Sequence, residues 1–265
     1  MLGLKCSTSY SQFYDRLSRN PDVIEFFLIE EDLFGNNRVE LENKIKIAQN
    51  KGIRVYLHHP MGFQNTWLNI IDDNPKHSSF YDVSTLILID ICESYDIYCV
   101  IHPHYGVVDG YEKIDFRIPD NIKKAKERIS HFQNLSKNRI LWENSVVGFF
   151  SFENPDFISD FIFELNLPIC FDISHAFISF QGDNQKLKLA IDTLQSHTRY
   201  YHVVDSMGLE HDSLQLGKGK TDWSQLTPYL KDLPYIFEID IKDLNNCNEM
   251  INSFNYLEAL KKDLT

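Results

Sequence analysis

The feature that most constrains this chain is a repeat of two kinds of segment. Short apolar runs recur at 2–6, 23–29, 53–57, 97–101, 140–142, 169–171, 200–204 and 235–239. They are rich in Ile, Val, Tyr and Phe and too short for helices, so they read as strands. Between them lie helical patterns. VELENKIKIAQNKG is closed by Gly52, and IPDNIKKAKERISHFQNL is opened by Pro119 and Asp120. NPDFISDFIFELN begins with an Asn-Pro signal suited to a helix start. Near-continuous apolar strands alternating with helices imply a parallel sheet covered by helices. Eight such units in 265 residues imply an α/β chain folded as a closed (β/α)8 TIM barrel, a fold that commonly runs to about 250 residues. A single domain over residues 1–265 is expected, because no linker, charge block or low-complexity run divides the chain. An open doubly wound sheet is the runner-up, but no GxGxxG follows the first strand.

Composition narrows the partners. The net charge of −12 gives no footprint for non-specific nucleic-acid binding, although a local basic patch or a bound metal can override a net field. Nucleic acid is therefore disfavoured as a partner and a small molecule preferred. Five scattered cysteines without a CxxC read as free thiols in a reducing compartment. No segment is long and apolar enough to span a bilayer. These features lead to the expectation of a cytoplasmic protein without a membrane partner, with homo-oligomerisation left open.

A barrel demands that functional side chains sit at the carboxyl ends of its strands. The third strand ends in YLHHP, with His58 and His59; the fourth runs into IHPHYG, with His102 and His104. The fifth is ILWEN, with Glu143, and the sixth ICFDISH, with Asp172 and His175. The seventh is YYHVVD, with His202 and Asp205; the eighth is YIFEID, with Glu238 and Asp240. His211 follows in the next loop after the seventh strand. A lone carboxylate after a strand is usually a helix cap, and a lone histidine is usually an ordinary polar side chain. Six successive strand ends of metal-ligand type weigh against six separate accidents. Crowded carboxylates would repel one another, and a divalent cation supplies the missing charge. Glu143, Asp172, His202 and Glu238 form an oxygen-rich set suited to Mn2+, Mg2+, Co2+ or Zn2+. Cys170, two residues before Asp172, shares its side of the strand and is expected to fill the core beneath it. The Gly217, Lys218, Gly219 segment reads either as a tight loop or as a cradle of N–H groups for an acidic part of a substrate.

At these residues the chain resembles the xylose isomerase-like barrel superfamily, which includes sugar 3-epimerases, hydroxypyruvate isomerase and endonuclease IV. The resemblance runs from the first strand to Glu238. It is carried by LWEN, FDISHAF and HVVDSMGLEHDSLQLGKGKTDW, the last containing a Gly-x-Gly-x-x-Asp segment at Gly217, Gly219 and Asp222. In the epimerase branch the resemblance implies that Glu143, Asp172, His202 and Glu238 hold one metal. Glu143 and Glu238 would double as acid and base, and His175 would hold a substrate oxygen. In the endonuclease branch it implies up to three zinc ions, with His59, His102 and His175 as further ligands. Asp205 and His211 are further candidates for metal or substrate. The stretch Glu210, His211, Asp212 departs from the Asp-x-His order of that branch. The loop Ser206, Met207, Gly208 lacks the arginine that often follows the seventh-strand histidine of epimerases.

The expected activity is therefore a metal-dependent isomerase or epimerase acting on a sugar or keto acid. Glutamate-mediated proton transfer would pass through an enediolate. The alternatives are an endonuclease IV-like zinc phosphodiesterase acting on abasic DNA and a non-catalytic barrel that binds sugar or metal.

Overall fold

The computed structural model of the protein describes residues 1–105 and 118–263. In chain order its strands are β1 (Gly3–Cys6), β2 (Val23–Phe27), β3 (Arg54–His58), β4 (Gly62–Phe63) and β5 (Thr66–Trp67). They continue as β6 (Tyr98–Ile101), β7 (Ile140–Glu143), β8 (Ile169–Asp172), β9 (Thr198–Val203) and β10 (Tyr235–Phe237). Among the described residues, β4 and β5 form a small antiparallel hairpin, and the other eight close a barrel in the order β1-β2-β3-β6-β7-β8-β9-β10. Every barrel pairing is parallel. All eight apolar runs lie in barrel strands, with ends displaced by at most two residues.

Helices cover the outside: α1 (Tyr10–Ser18), α2 (Gly35–Asn50), α3 (Pro75–Tyr95), α4 (Pro119–Ser136), α5 (Ile173–Ser179), α6 (Asn184–Leu194), α7 (Trp223–Leu226) and α8 (Asn248–Asp263). One crossover differs from the sequence expectation. NPDFISDFIFELN forms a π-helix at Phe157–Phe163 instead of an α-helix. Its wider turn is seen in Glu164 N–H donating to Ser159 O at 3.1 Å. It buries Phe157, Phe161 and Ile162 together, a spacing that spreads beyond one α-helical stripe. The seventh crossover is also short, since the helix after Asp222 runs only from Trp223 to Leu226.

Strand alternation divides each run between two cores. One set, including Leu4, Phe26, Leu57, Trp142, Phe171 and Phe237, packs outward beneath the helices. The other set is Val23, Tyr56, Val100, Leu141, Cys170, Tyr200 and Ile236, and it fills the barrel interior. The rings of Tyr56 and Tyr200 stack across it with centroids 4.0 Å apart. Cys170 is a fully buried member of this plug, as expected of the residue below Asp172. Each large apolar side chain removed from water here contributes about 1.5–3 kcal/mol, so the interior is a solid floor for whatever lies above it.

β1 has no side chain in this plug because Gly3 stands at its position. A Cβ on Gly3 would lie 1.7 Å from Tyr235 O and 3.0 Å from Ile236 Cα, where β1 closes the ring against β10. The obstacle is backbone, which cannot swing aside as a flexible side chain can. Gly3→Ala is therefore expected to lower stability by about 1–3 kcal/mol, the usual range for overpacking. A urea unfolding midpoint equal to that of the parent would show that the two strands can part without cost.

Candidate metal centre

Two residues beyond each interior side chain the strand again points inward, and the chemistry there changes completely. Val23 leads to Glu25, Tyr56 to His58, Val100 to His102 and Leu141 to Glu143. Cys170 leads to Asp172, Tyr200 to His202, Ile236 to Glu238, and Gly3 to Lys5. Each of the eight barrel strands thus gives one polar residue to a layer resting on the apolar plug. Glu25, His58, His102, Glu143, Asp172 and His202 are buried, while Lys5 and Glu238 keep 25% and 18% of their side chains exposed at the mouth.

Contacts inside the layer are dense. His202 Nδ1 lies 2.6 Å from Glu238 Oε2, 3.1 Å from Glu143 Oε1 and 3.8 Å from Asp172 Oδ2. Lys5 Nζ donates to the other oxygen of Glu238, Oε1, at 2.8 Å. Glu143 Oε2 faces His102 Nε2 at 2.9 Å and His58 Nε2 at 3.2 Å. One donor atom from each of Glu143, Asp172, His202 and Glu238 falls in a cluster within 4.8 Å of one another. A second cluster with the same spacing joins His58, His102 and Glu143, and a third joins Glu143, Cys170 and His202. Glu143 belongs to all three.

The electrostatics follow from burying four carboxylates beside one ammonium. Burial pushes the Asp172 carboxyl well above its ordinary range, and the charges of Glu143 and Glu238 push it further. Burial would raise Glu143 too, but His102 and His202 outweigh it and hold that carboxyl well below the usual value. Glu238 is depressed in the same way, against burial, by His202 and Lys5. Burial lowers His102 to about 4 despite Glu143. Against burial, Cys170 first and then the carboxylates of Glu143, Glu238 and Glu25 raise His202 well above the ordinary imidazole range. The layer is thus short of positive charge and shares out the few protons it has. A divalent cation fits these residues: converging N and O donors suit it, and its charge relieves the repulsion now borne by Asp172.

FDISHAF shows how one carboxylate serves two structures. Asp172 is the N-cap of α5, its Oδ1 accepting from His175 N–H at 2.6 Å. Its Oδ2 is the oxygen turned toward His202. The cap and cluster readings are therefore not alternatives. Asn144 clamps the strand end by accepting from Asp172 N–H at 2.9 Å and donating to Asp172 O at 3.0 Å. The cap also brings His175 over the layer, where its Nδ1 meets Asn144 O at 2.8 Å and its Nε2 meets His211 Nε2 at 2.8 Å.

Not all of the residues singled out in the sequence join the layer. His59 does not join the layer; strand alternation turns it outward, and its Nε2 contacts Ser84 Oγ of α3 at 2.7 Å. Burial lowers it to about 3, so His58 is the residue that faces His102 and Glu143. Asp205 is likewise committed elsewhere. It accepts from the backbone N–H of Ser206, Gly217, Gly219 and Thr221 at 2.8–3.2 Å. The Gly217, Lys218, Gly219 loop therefore spends its N–H groups within the chain, those of Gly217 and Gly219 on Asp205 and that of Lys218 on Gln215 O at 3.1 Å, rather than outward on a ligand. Gly219 is required for this wrap, because a Cβ there would lie 2.4 Å from Asp205 Oδ1. His104 is a structural residue packed on Phe149 at 4.6 Å between ring centroids.

Sequence reasoning passed over Lys5 and Glu25, which stand in the middle of the apolar runs GLKC and VIEFF. The signal was present: a lone charge inside a buried strand, two residues past the interior position.

Above the layer a cavity of about 610 Å3 opens at the mouth, lined among others by Lys5, Trp67, Tyr105, His175, His211 and Glu238.

Residues 22–259 match the family described as Xylose isomerase-like TIM barrel. An uncharacterised protein of Methanocaldococcus jannaschii is 26% identical over 251 residues, covering 92% of this chain and 93% of that protein. Among solved structures, a D-tagatose 3-epimerase-like protein is similar over 100% of both chains, with a TM-score of 0.71 and 18% identity. An L-ribulose 3-epimerase is similar over 99% of this chain and 96% of its own, with a TM-score of 0.70 and 15% identity. A protein from Thermus thermophilus, studied after soaking with ZnCl2, is similar over 99% of each chain, with a TM-score of 0.67 and 18% identity. At these identities the structural likeness is one of fold. The family match covers most of the chain, and the closed parallel barrel agrees with it: the chain belongs to the xylose isomerase-like TIM barrel family.

Proposed function

We propose that the protein is a divalent-metal-dependent isomerase or epimerase of a small sugar or keto acid. The observation that carries the reading is the convergence of Glu143, Asp172, His202 and Glu238 within 4.8 Å beneath an open cavity. The epimerase names of similar folds support it. Glu143, Asp172, His202 and Glu238 would hold Mn2+, Mg2+, Co2+ or Zn2+. The bound cation supplies Lewis acidity that polarises a substrate carbonyl and makes the neighbouring C–H more acidic.

The chain's own residues then divide the work. Glu238 borders the cavity, so its carboxylate meets the substrate carbon and takes the α proton, giving an enediolate. Lys5 fixes Glu238 from the rim through Oε1. Glu143 approaches from β7, three places round the ring from β10, and serves as the second acid/base. Return of the proton to the opposite face inverts a stereocentre, whereas return to the adjacent carbon interconverts aldose and ketose. His175 and His211 border the cavity above the layer and would contact the substrate there.

A second reading has its own observation. His58, His102 and Glu143 form a second cluster that shares Glu143 with the first, and paired cations are the apparatus of phosphodiester hydrolysis. The net charge of −12 opposes a phosphate backbone, so we rank this reading second. With one metal per chain by elemental analysis, the protein should leave duplex DNA containing abasic sites intact at physiological salt. Efficient metal-dependent incision would reverse the ranking.

The metal assignment is tested at Asp172. Asparagine keeps an Oδ1 for the α5 cap but removes the charge from the cluster. Asp172→Asn is expected to stay folded and bind Mn2+ about 10–100-fold more weakly or worse, at least the loss typical of residues behind the ligands. Unchanged affinity would leave Asp172 as a cap alone.

The proton-transfer assignment is tested at the two glutamates. A substrate is first sought by screening small ketoses and 2-keto acids for uptake of solvent deuterium. Glu143→Gln and Glu238→Gln retain an oxygen and nearly the same volume, yet each should slow exchange of the α proton by about 100-fold or more. Exchange at the parent rate in both variants would make them ligands only and refute the isomerase mechanism.

A further inference from the structure

β2 gives the polar layer a residue that the four-donor set does not use. Glu25 is fully buried, and its Oε2 lies 3.0 Å from His202 Nε2. Its Oε1 has no hydrogen-bond partner among the described residues. A carboxylate that bonds to an imidazole accepts the hydrogen, so the shared hydrogen belongs to His202 Nε2. The other ring nitrogen, Nδ1, is the one facing Glu238, Glu143 and Asp172. In register, Glu25 lies between Lys5 of β1 and Tyr56 of β3, but the ammonium of Lys5 is bonded to Glu238 instead.

We propose that Glu25 is a positioning residue of the metal centre, holding the hydrogen of His202 on Nε2 so that Nδ1 is the nitrogen left to meet a cation bound among Glu143, Asp172 and Glu238. The proposal rests on the metal reading given above and adds to it a residue outside the ligand set. Three facts of the molecule support it. The contact commits Nε2 to Glu25 and so fixes Nδ1 as the nitrogen turned to the donor set, a choice that a metal-ligating histidine needs made. Glu25 is poorly accommodated as a merely structural residue, since a buried carboxylate with one bare oxygen costs stability unless it is compensated. It also extends the ring of interacting side chains to β2, so that strands on both sides of the barrel seam bear on the same four donors.

The test uses the full-length protein stripped with a chelator and refilled with Zn2+ alone, the affinity being read by competition against a chromophoric chelator. Circular dichroism establishes that each variant is folded before titration. Glu25→Leu removes the acceptor and is expected to weaken Zn2+ binding by about 10–100-fold. Glu25→Gln still offers an amide oxygen to Nε2–H and should recover part of that loss, which a general packing defect would not predict. Parent-like affinity in folded Glu25→Leu overturns the proposal and leaves the metal centre standing. If Glu25→Leu does not fold, Glu25→Asp decides: it keeps the charge but draws the carboxylate back by one methylene, and parent-like affinity there overturns the proposal. A parent protein that takes up no Zn2+ overturns the metal centre and this proposal together.

Discussion

Everything at the mouth of this barrel depends on one imbalance of charge. Glu25, Glu143, Asp172 and Glu238 are set into a single layer with Lys5 as the only permanently cationic member. In water such groups would separate or be screened. Here the apolar plug of Tyr56, Val100, Leu141, Cys170, Tyr200 and Ile236 lies directly beneath and fixes the strands that carry them. Low polarity below strengthens each interaction in the layer and raises the cost of every unpaired charge. The carboxyls respond accordingly: burial and its charged neighbours push Asp172 well above the usual range, while His102 and His202 hold Glu143, and His202 and Lys5 hold Glu238, well below it. The rigidity that makes the arrangement expensive also preorganises it.

The surrounding loops hold this layer in place rather than competing for its role. Asn144 ties the end of β7 to that of β8 through two hydrogen bonds with the Asp172 backbone. Asp205 gathers the loop after β9 by accepting four backbone N–H groups. A carboxylate used this way satisfies donors that a long loop could otherwise leave unpaired. It also delivers His211 to His175 at 2.8 Å. The loop that looks on paper like a ligand cradle is thus an internal brace, and its benefit to the site is the placement of a histidine.

Much of this was legible because the repeat is strict. A period-two strand with an apolar interior residue makes its next inward residue the first to emerge, so Glu143, Asp172, His202 and Glu238 could be read from strand ends alone. The same rule distinguishes His58 from His59, yet the adjacent pair in YLHHP could not be sorted until the strand's phase was fixed by Tyr56 in the plug. Lys5 and Glu25 were harder, since each sits inside its apolar run rather than at its end. Asp205 and Gly219 could not be sorted at all from spacing, because a loop's N–H directions depend on backbone turns that no short pattern specifies. The π-helix at Phe157–Phe163 was missed for a similar reason: its apolar spacing accommodates either turn, and packing of Phe157, Phe161 and Ile162 decides.

The overlapping donor clusters follow from the same geometry. Eight strands bring their inward residues to one level, so any side chain with two donor atoms, placed centrally, borders more than one group of neighbours. Glu143 is that side chain: Oε1 faces His202 while Oε2 faces His58 and His102. Splitting the two oxygens this way keeps Glu143 deep and anchored on both sides, whereas Glu238, held by Lys5 on one oxygen and His202 on the other, reaches the cavity. The proposed proton transfer has use for that asymmetry, since Glu238 borders the cavity while Glu143, the second acid/base of that proposal, is fixed in the layer. A pair of cations would need Glu143 as a bridge and would leave Glu238 with less to do. The exposure of Glu238 at the edge of an open cavity is what supports the proposed chemistry at a carbon acid.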